Sequence, residues 1–336
     1  MVKDKFSRLL KALRISVTDR CNFRCHYCMP ADIFGHKYVF LARDEILTFE
    51  EILRIVKIFA HLGVTKVRLT GGEPLLRKNL EGLIEMLAEI SDIRDLALTT
   101  NGYLLKQKAR VLKDAGLNRL TVSLDTLDSA LFRRLAGPKV ELKQVLDGIS
   151  TAAEVGFYPI KINTVIQKSV NEQEILELAR FGKKHGYIMR FIEYMDVGNL
   201  NGWRMDQVVP AKKIFDTISA EMPIESIEKN NKSEVANQYR YLDGDGEIGI
   251  IASVTNPFCG DCTRARLSAE GKIYTCLFAS HGHDIKKLLR SEASDKDLQQ
   301  VLTSMWYNRT DRYSEERTSH TQVQHQKKIE MYQIGG

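Results

Sequence analysis

The 336-residue chain carries 49 basic and 43 acidic side chains, a formal net charge of +6, and 43% hydrophobic residues. Such a composition excludes a disordered or low-complexity chain, and so mild a charge permits an anionic ligand without demanding nucleic acid. No apolar run approaches the roughly 20 residues that span a bilayer, and no apolar leader precedes a small-residue cleavage site, so a soluble, cytoplasmic protein with no membrane partner is expected.

In chain order, residues 1–12 are basic and read as a variable, frayed segment. Between residues 13 and 194 short apolar runs alternate with helical patterns, the signature of successive βα units on a parallel sheet. The pattern predicts strands at 13–17, 66–70, 95–99, 119–123, 160–165 and 189–194. Helices are predicted at 48–61 and 171–185, the first with Thr48 as N-cap and acidic residues in its first turn.

One face of each strand is polar. Arg14 and Ser16 share a face, as do Lys66, Arg68 and Thr70; Thr99, Thr121 with Ser123, Lys161 with Asn163, and Arg190 continue it. Parallel strands covered by helices on both sides are normally apolar throughout. If the sheet curls into a barrel, this polar face lines a lumen that must hold something charged. The regular pattern breaks at 198–203, and 225–234 (ESIEKNNKSE) reads as a surface loop. A boundary is therefore placed near Pro223, dividing a barrel at 13–223 from a second region at 224–336.

All 6 cysteines fall into two triads, Cys21, Cys25, Cys28 and Cys259, Cys262, Cys276. A cytosolic chain of this length does not need disulfide staples, so metal binding is the better reading. The first triad lies in TDRCNFRCHYCMP (18–30), directly after the first strand. Three thiolates in one loop can bind three corners of a cubane cluster and leave the fourth iron open. A structural zinc site would be closed by a fourth ligand, for which His26 is the candidate. The second triad lies in NPFCGDCTRARLSAEGKIYTCLFAS (256–280), again without an obvious fourth ligand, His281 and His283 following the last cysteine. A zinc knuckle is the alternative there. The guanidinium groups of Arg264 and Arg266 suit a polyphosphate or a nucleobase.

CxxxCxxC with Tyr27 before its last cysteine, followed after the second strand by Gly71-Gly72-Glu73-Pro74, resembles the radical S-adenosylmethionine (SAM) superfamily. The resemblance implies a 4Fe-4S cluster on the first triad whose open iron is chelated by SAM, with Tyr27, Gly72, Ser123 and Met195 as SAM-binding positions. Together with LTGGEPLLR (69–77), MRFIEYM (189–195), NPFC-x-x-CTRARLSA (256–269) and the terminal Gly335-Gly336, the sequence resembles the GTP 3′,8-cyclase family of molybdenum cofactor biosynthesis. From about residue 13 onward no motif position departs from that pattern.

What this resemblance implies is an α/β fold, an incomplete (β/α)6 TIM-type barrel closed on its open side by the C-terminal region. It also implies a second 4Fe-4S cluster on Cys259, Cys262 and Cys276 that meets the guanine of GTP. The implied GTP contacts are Arg14, Arg68, Thr99, Lys161, Arg264, Ala265 through its main chain, and Arg266. A 5′-deoxyadenosyl radical would take the ribose C3′ hydrogen, and C3′ would add to guanine C8 to give (8S)-3′,8-cyclo-7,8-dihydroguanosine 5′-triphosphate. Gly335 and Gly336 would thread into the barrel as a catalytic tail. Implied partners are a reducing electron donor and the next pathway enzyme, cyclic pyranopterin monophosphate synthase; a homodimer is left open. Competing readings are a radical SAM peptide-modifying enzyme and a zinc-knuckle RNA-binding module, the latter opposed by the βα body and the scarcity of aromatics among the cysteines.

Overall fold

The computed structural model describes residues 1–228, 233–320 and 328–335, with side chains for all of these except 318–320. Its body is β1 (Ala12–Ser16), β2 (Lys66–Thr70), β3 (Asp95–Thr100), β4 (Arg119–Ser123), β5 (Lys161–Ile166) and β6 (Ile188–Glu193). Between and after these strands run α1 (Phe49–His61), α2 (Leu80–Ala88), α3 (Leu105–Asp114), α4 (Ser129–Ala136), α5 (Leu142–Glu154) and α6 (Ile175–His185). Then follow α7 (Ala211–Glu221), β7 (Ile224–Ile227), β8 (Asn237–Tyr241), β9 (Glu247–Ile251), β10 (Arg264–Leu267), β11 (Lys272–Tyr274) and β12 (His283–Asp284). The chain finishes with α8 (Lys286–Leu289), α9 (Asp295–Tyr307), α10 (Tyr313–His320) and α11 (Met331–Ile334).

Alternation within each strand explains the layers. Ile15, Leu69, Leu98 and Leu120 stand side by side across the sheet and are buried against the helices. The next row on the opposite face is Arg14, Arg68, Ala97 and Arg119. A one-residue slip would exchange the two faces, so burial of the apolar row fixes the register. Each buried aliphatic side chain contributes about 1.5–3 kcal/mol. The helices answer with matching apolar stripes: α1 buries Ile52, Ile55, Val56 and Phe59, and starts with a capping box between Thr48 and Glu51. The predicted strands lie within one residue of β1 to β6 at each end.

The C-terminal region does not form a separate layer. The sheet is a single ribbon of 12 strands, ordered β12-β11-β10-β1-β2-β3-β4-β5-β6-β9-β8-β7. β10 adds in parallel to β1 and β9 adds in parallel to β6, so the region after Pro223 extends both edges of the barrel. The expected surface loop at 225–234 is corrected in its first part: β7 pairs antiparallel with β8 because Ile224 packs inward opposite Tyr241. Glu193, buried at the end of β6, ties this arm in; its carboxylate accepts from the backbone N–H of Ala211, Val254 and Thr255 and from the Thr255 hydroxyl.

The frayed N-terminal segment is also corrected. Lys3 bridges Leu9, and Leu10 is fully buried. Asp4 and Arg8 are both buried and joined Oδ2 to Nε at 2.5 Å, while the Trp306 indole donates to the Arg8 carbonyl. No helix among the described residues is long and apolar enough to cross a membrane.

Candidate active site

The first cysteine loop leaves β1 and is clamped to the turn after β2. Gly72 N–H donates to Thr18 O at 2.8 Å and Glu73 N–H to Arg20 O at 2.7 Å. This approach is why two glycines stand there: a Cβ on Gly71 would lie 2.5 Å from Thr18 O, and one on Gly72 would collide with Arg20 O. Glu73 is buried beneath them, its carboxylate accepting from Leu75 N, Thr100 Oγ1 and Asn101 N; burial pushes it up to about 7. Arg24 holds the loop in shape by donating to the carbonyls of Cys21, Phe23 and Phe34.

Cys21, Cys25 and Cys28 are free thiols on this loop. Burial pushes Cys21 up to about 12 and raises Cys25 and Cys28 as well. Phe23 N–H and the Asn101 amide point at Cys21 Sγ, at 3.4 and 3.9 Å. Buried thiols that gather N–H donors suit an iron-sulfur cluster, whose binding expels their protons and whose potential those donors tune. His26 does not join them: its Nε2 lies 2.7 Å from Gln167 Oε1. Among the described residues no group of three or more His, Cys, Asp or Glu side chains is placed to hold a single metal ion. Tyr27 donates to Asp125 Oδ2 at 2.7 Å, Ser123 ends β4, and Met195 follows β6.

The second triad stands against the polar face of the sheet. Cys259, Cys262 and Cys276 share the wall of a cleft of about 950 Å³ with Arg14, Arg68, Thr99, Met195, Arg264 and Arg266. The sequence separates these residues by up to two hundred and more positions; β10 docking on β1 brings them together. Lys161 lines an adjoining chamber at the N-terminal ends of the strands, which shares Arg14, Arg68 and Arg264 with the first. Ala265 is buried in β10 opposite Leu13. His281 bonds to Ser280 and His283 is exposed on β12.

Acids are few among these cations: Asp311 lines the cleft with them, and Asp95, Glu234 and Glu247 line the adjoining chamber. Burial and the neighbouring arginines lower Arg14 well below its usual value, Arg68 to about 9 and Arg266 to about 10, and Lys161 falls to about 8 for the same reasons. Buried positive charge of this density is unfavourable until an anion enters. Arg68 is held ready by donating to Thr99 Oγ1 and Thr121 Oγ1 at 2.9 and 3.0 Å. Two further groups were not singled out as ligand contacts by the sequence motifs: Arg190, lowered to about 10, and Asn163 each leave a buried polar atom, Nε and Oδ1, without a partner among the described residues. Both lie on the polar face and line the same cleft.

Cys262 behaves unlike Cys276, which burial raises to about 12. Burial would raise Cys262 too, but Arg264 and then Arg309 outweigh that and bring it to about 6. Arg264 Nη2 lies 3.5 Å from Cys262 Sγ, and Arg309 donates to the Cys262 carbonyl at 2.7 Å. Arg8 from the N-terminal segment donates to the carbonyls of Cys259 and Asp311. Neither Arg8 nor Arg309 carries a motif; their role in shaping this loop is visible only in the fold.

The tail runs between the two triads. Tyr332 packs on Phe34 of the first loop and meets the Tyr38 hydroxyl at 2.7 Å, and Ile334 is fully buried. Arg266 donates to the Gly335 carbonyl at 2.6 Å. Gly335 adopts φ 67°, and a Cβ there would strike the Thr70 side chain, so only glycine fits. A frayed end is thus excluded for Gly335; Gly336 lies outside the described residues. Upstream, Lys328 reaches Asp196, which also accepts from Tyr313 and Arg317.

A curled parallel sheet with a cysteine triad after its first strand defines a radical SAM enzyme, here with a second triad against the sheet's polar face. The Radical SAM superfamily model matches residues 15–182 and the Molybdenum Cofactor Synthesis C model residues 187–315. A GTP 3′,8-cyclase of Acidothermus cellulolyticus is 56% identical over 94% of this chain and 88% of that protein. One of Staphylococcus haemolyticus is 48% identical over 100% and 99%. Among solved structures, Streptococcus suis SuiB bound to S-adenosylmethionine superposes with a TM-score of 0.61 at 18% identity, over 90% of this chain and 66% of that one, a likeness of fold. The chain belongs to the GTP 3′,8-cyclase family of the radical SAM superfamily.

Proposed function

We propose that this chain converts GTP to (8S)-3′,8-cyclo-7,8-dihydroguanosine 5′-triphosphate, the first step of molybdenum cofactor biosynthesis, using SAM and two 4Fe-4S clusters. The observation that carries this reading is the cleft in which the second cysteine triad faces several buried cations, with Asp311 as the acid that lines it. A cluster held by Cys21, Cys25 and Cys28 would supply the one-electron reduction that cleaves SAM, the chemistry that starts hydrogen removal at the ribose C3′.

The residues divide that work. Cys21, Cys25 and Cys28 hold the first cluster, and Tyr27, Gly72, Ser123 and Met195 border SAM. Cys259, Cys262 and Cys276 hold the second. Arg14, Arg68, Thr99, Lys161, Arg264 and Arg266, with the Ala265 main chain, neutralise and orient a triphosphate of about four negative charges, which a partly dry chamber rewards strongly. Gly335 brings a bare backbone to the substrates, and Arg266 orients it; Gly336 is assigned to the same catalytic tail. Burial of the chamber keeps water from the radical.

We further assign to this reading a cytoplasmic location, a reducing electron donor, and delivery of the product to cyclic pyranopterin monophosphate synthase; a homodimer is compatible with it. Anaerobic incubation with SAM, dithionite and GTP tests the function. The expected products are methionine, 5′-deoxyadenosine and an isomer of GTP with altered chromatographic retention. Deoxyadenosine release with GTP unchanged would overturn it.

A further inference from the structure

Beside the first cysteine loop, on the outer surface, lies a groove that the reaction does not use. Its walls come from Arg20, the residue before Cys21, from Arg43 and Phe49, and from Leu76, Arg77 and Lys78 at the entrance to α2. Arg20, Arg43 and Lys78 are exposed. Arg77 is half-buried, donating to the carbonyls of Leu47 and Val17, with its guanidinium 5.1 Å from the Phe49 ring centroid. Arg20 donates to the Leu41 carbonyl and lies over Phe40. None of these cations has a carboxylate partner within ion-pair distance among the described residues, whereas Arg54, Lys106, Lys143 and Arg290 elsewhere on the surface are paired. Glu50 is the acid that lines the groove with them. Apolar side chains line it too, Leu41, Met86 and Leu76, the last 38% exposed.

We propose that this groove is the docking surface for the electron donor, a small acidic protein carrying a flavin or iron-sulfur centre. The proposal rests on the radical SAM reading above, which needs one electron delivered to the first cluster. Arg20 is covalently adjacent to Cys21, so a partner seated here reaches the cluster through one short stretch of loop. Unpaired cations around a few apolar residues match the small, wet, transient contacts of redox partners, in which charge steers the encounter and apolar contact is slight. A second copy of this chain, at a formal +6, is the poorer occupant. In the step itself the carrier is oxidised by one electron and the cluster reduced by one, with no bond made or broken.

The test compares the reconstituted holoenzyme with its Arg43→Glu/Lys78→Glu variant, using photoreduced flavodoxin and reduced ferredoxin as carriers and dithionite as a reductant that needs no docking. Binding of oxidised flavodoxin by calorimetry gives a readout independent of turnover. The expected result is unchanged deoxyadenosine formation with dithionite, a loss of about tenfold to a hundredfold in the carrier-driven rate at subsaturating carrier, and a matching weakening of flavodoxin binding that rising salt erases. Equal carrier kinetics in both proteins, a wild type that dithionite reduces but neither carrier does, or an equal fall with dithionite would overturn it. Absence of deoxyadenosine even with dithionite in the wild type would instead remove the radical SAM reading on which it stands.

Discussion

Around Cys21, Cys25 and Cys28 the charged neighbours that act on the thiols are mainly acids, Glu73, Asp125 and Glu330, with Arg24 the opposing cation. Around Cys262 they are Arg264 and Arg309. Burial raises Cys21 and Cys276 alike to about 12, whereas the two arginines bring Cys262 to about 6. The second loop thus sets one of its thiols in a cationic field that acts on none of the first loop's thiols so strongly. SAM brings its own sulfonium and ammonium cations to the first loop, which can afford acidic surroundings; GTP brings only negative charge to the second, which cannot.

The sharpest way to break this comparison is to remove one thiol from each loop. Cys25→Ala is expected to abolish deoxyadenosine formation, whereas Cys262→Ala retains SAM cleavage and loses the GTP-derived product. Both are read by mass analysis after anaerobic incubation with dithionite. Equal loss of SAM cleavage in the two variants would show that the loops do not divide the chemistry.

The tail joins the two fields, so disturbing it should cost turnover without emptying either site. Gly335→Ala places a methyl group against Thr70 and pulls the tail from Arg266. A displacement of about 1 Å at a reacting centre costs roughly a hundredfold in rate. The expected outcome is that loss in cyclisation, with iron content and GTP affinity retained; a synthetic peptide of the last residues should restore part of the activity to a chain truncated after residue 334. Full turnover by Gly335→Ala would reduce the tail to a packing element.

A smaller effect is expected from Arg68→Ala. The guanidinium donates to Thr99 and Thr121 in a chamber with few acids, and loss of a charge-assisted hydrogen bond to a phosphate costs about 1.5–3 kcal/mol, tenfold or more in affinity. Equilibrium binding should show that loss for GTP and little change for SAM.

How far the sequence reached follows from the range of the interactions. β1 to β6 were legible because strand alternation is local, and the polar faces that held Arg14, Arg68 and Lys161 come from the same period. The cysteine loops and Gly71-Gly72 were legible because their ligands lie within a few residues of one another. What failed was long-range. The N-terminal segment reads as frayed until Arg8 meets Cys259 and Trp306, some 250 and 298 residues away. Residues 225–227 read as loop until β8, itself paired to β9, supplies their partner across a sheet edge. Arg309 and Asp311 follow a plain amphipathic helix and gain meaning only where α9 sets them against the second cysteine loop.

The smallest expected effect tests the comparison most directly. Reduction makes a cluster more negative, so nearby acids lower its midpoint potential and nearby cations raise it. The first cluster should therefore be the harder to reduce, as SAM cleavage requires, and a potentiometric titration followed by electron paramagnetic resonance should resolve two midpoints with the lower one perturbed by SAM. Arg309 gives a means to move the other. It donates to the Cys262 carbonyl and lowers the Cys262 thiol, while Asp4 and Asp311 keep its position. Arg309→Gln keeps a donor and removes the charge; at an effective dielectric near 20 a charge several ångströms away contributes on the order of 1 kcal/mol, about 40–60 mV for one electron. The second midpoint should fall by about that amount while the first stays fixed, and Arg309→Lys, which keeps the charge, should leave both nearly unchanged. A shift of the first midpoint, or an equal shift in the lysine variant, would mean that loop geometry rather than the cationic field at Cys262 separates the two sites.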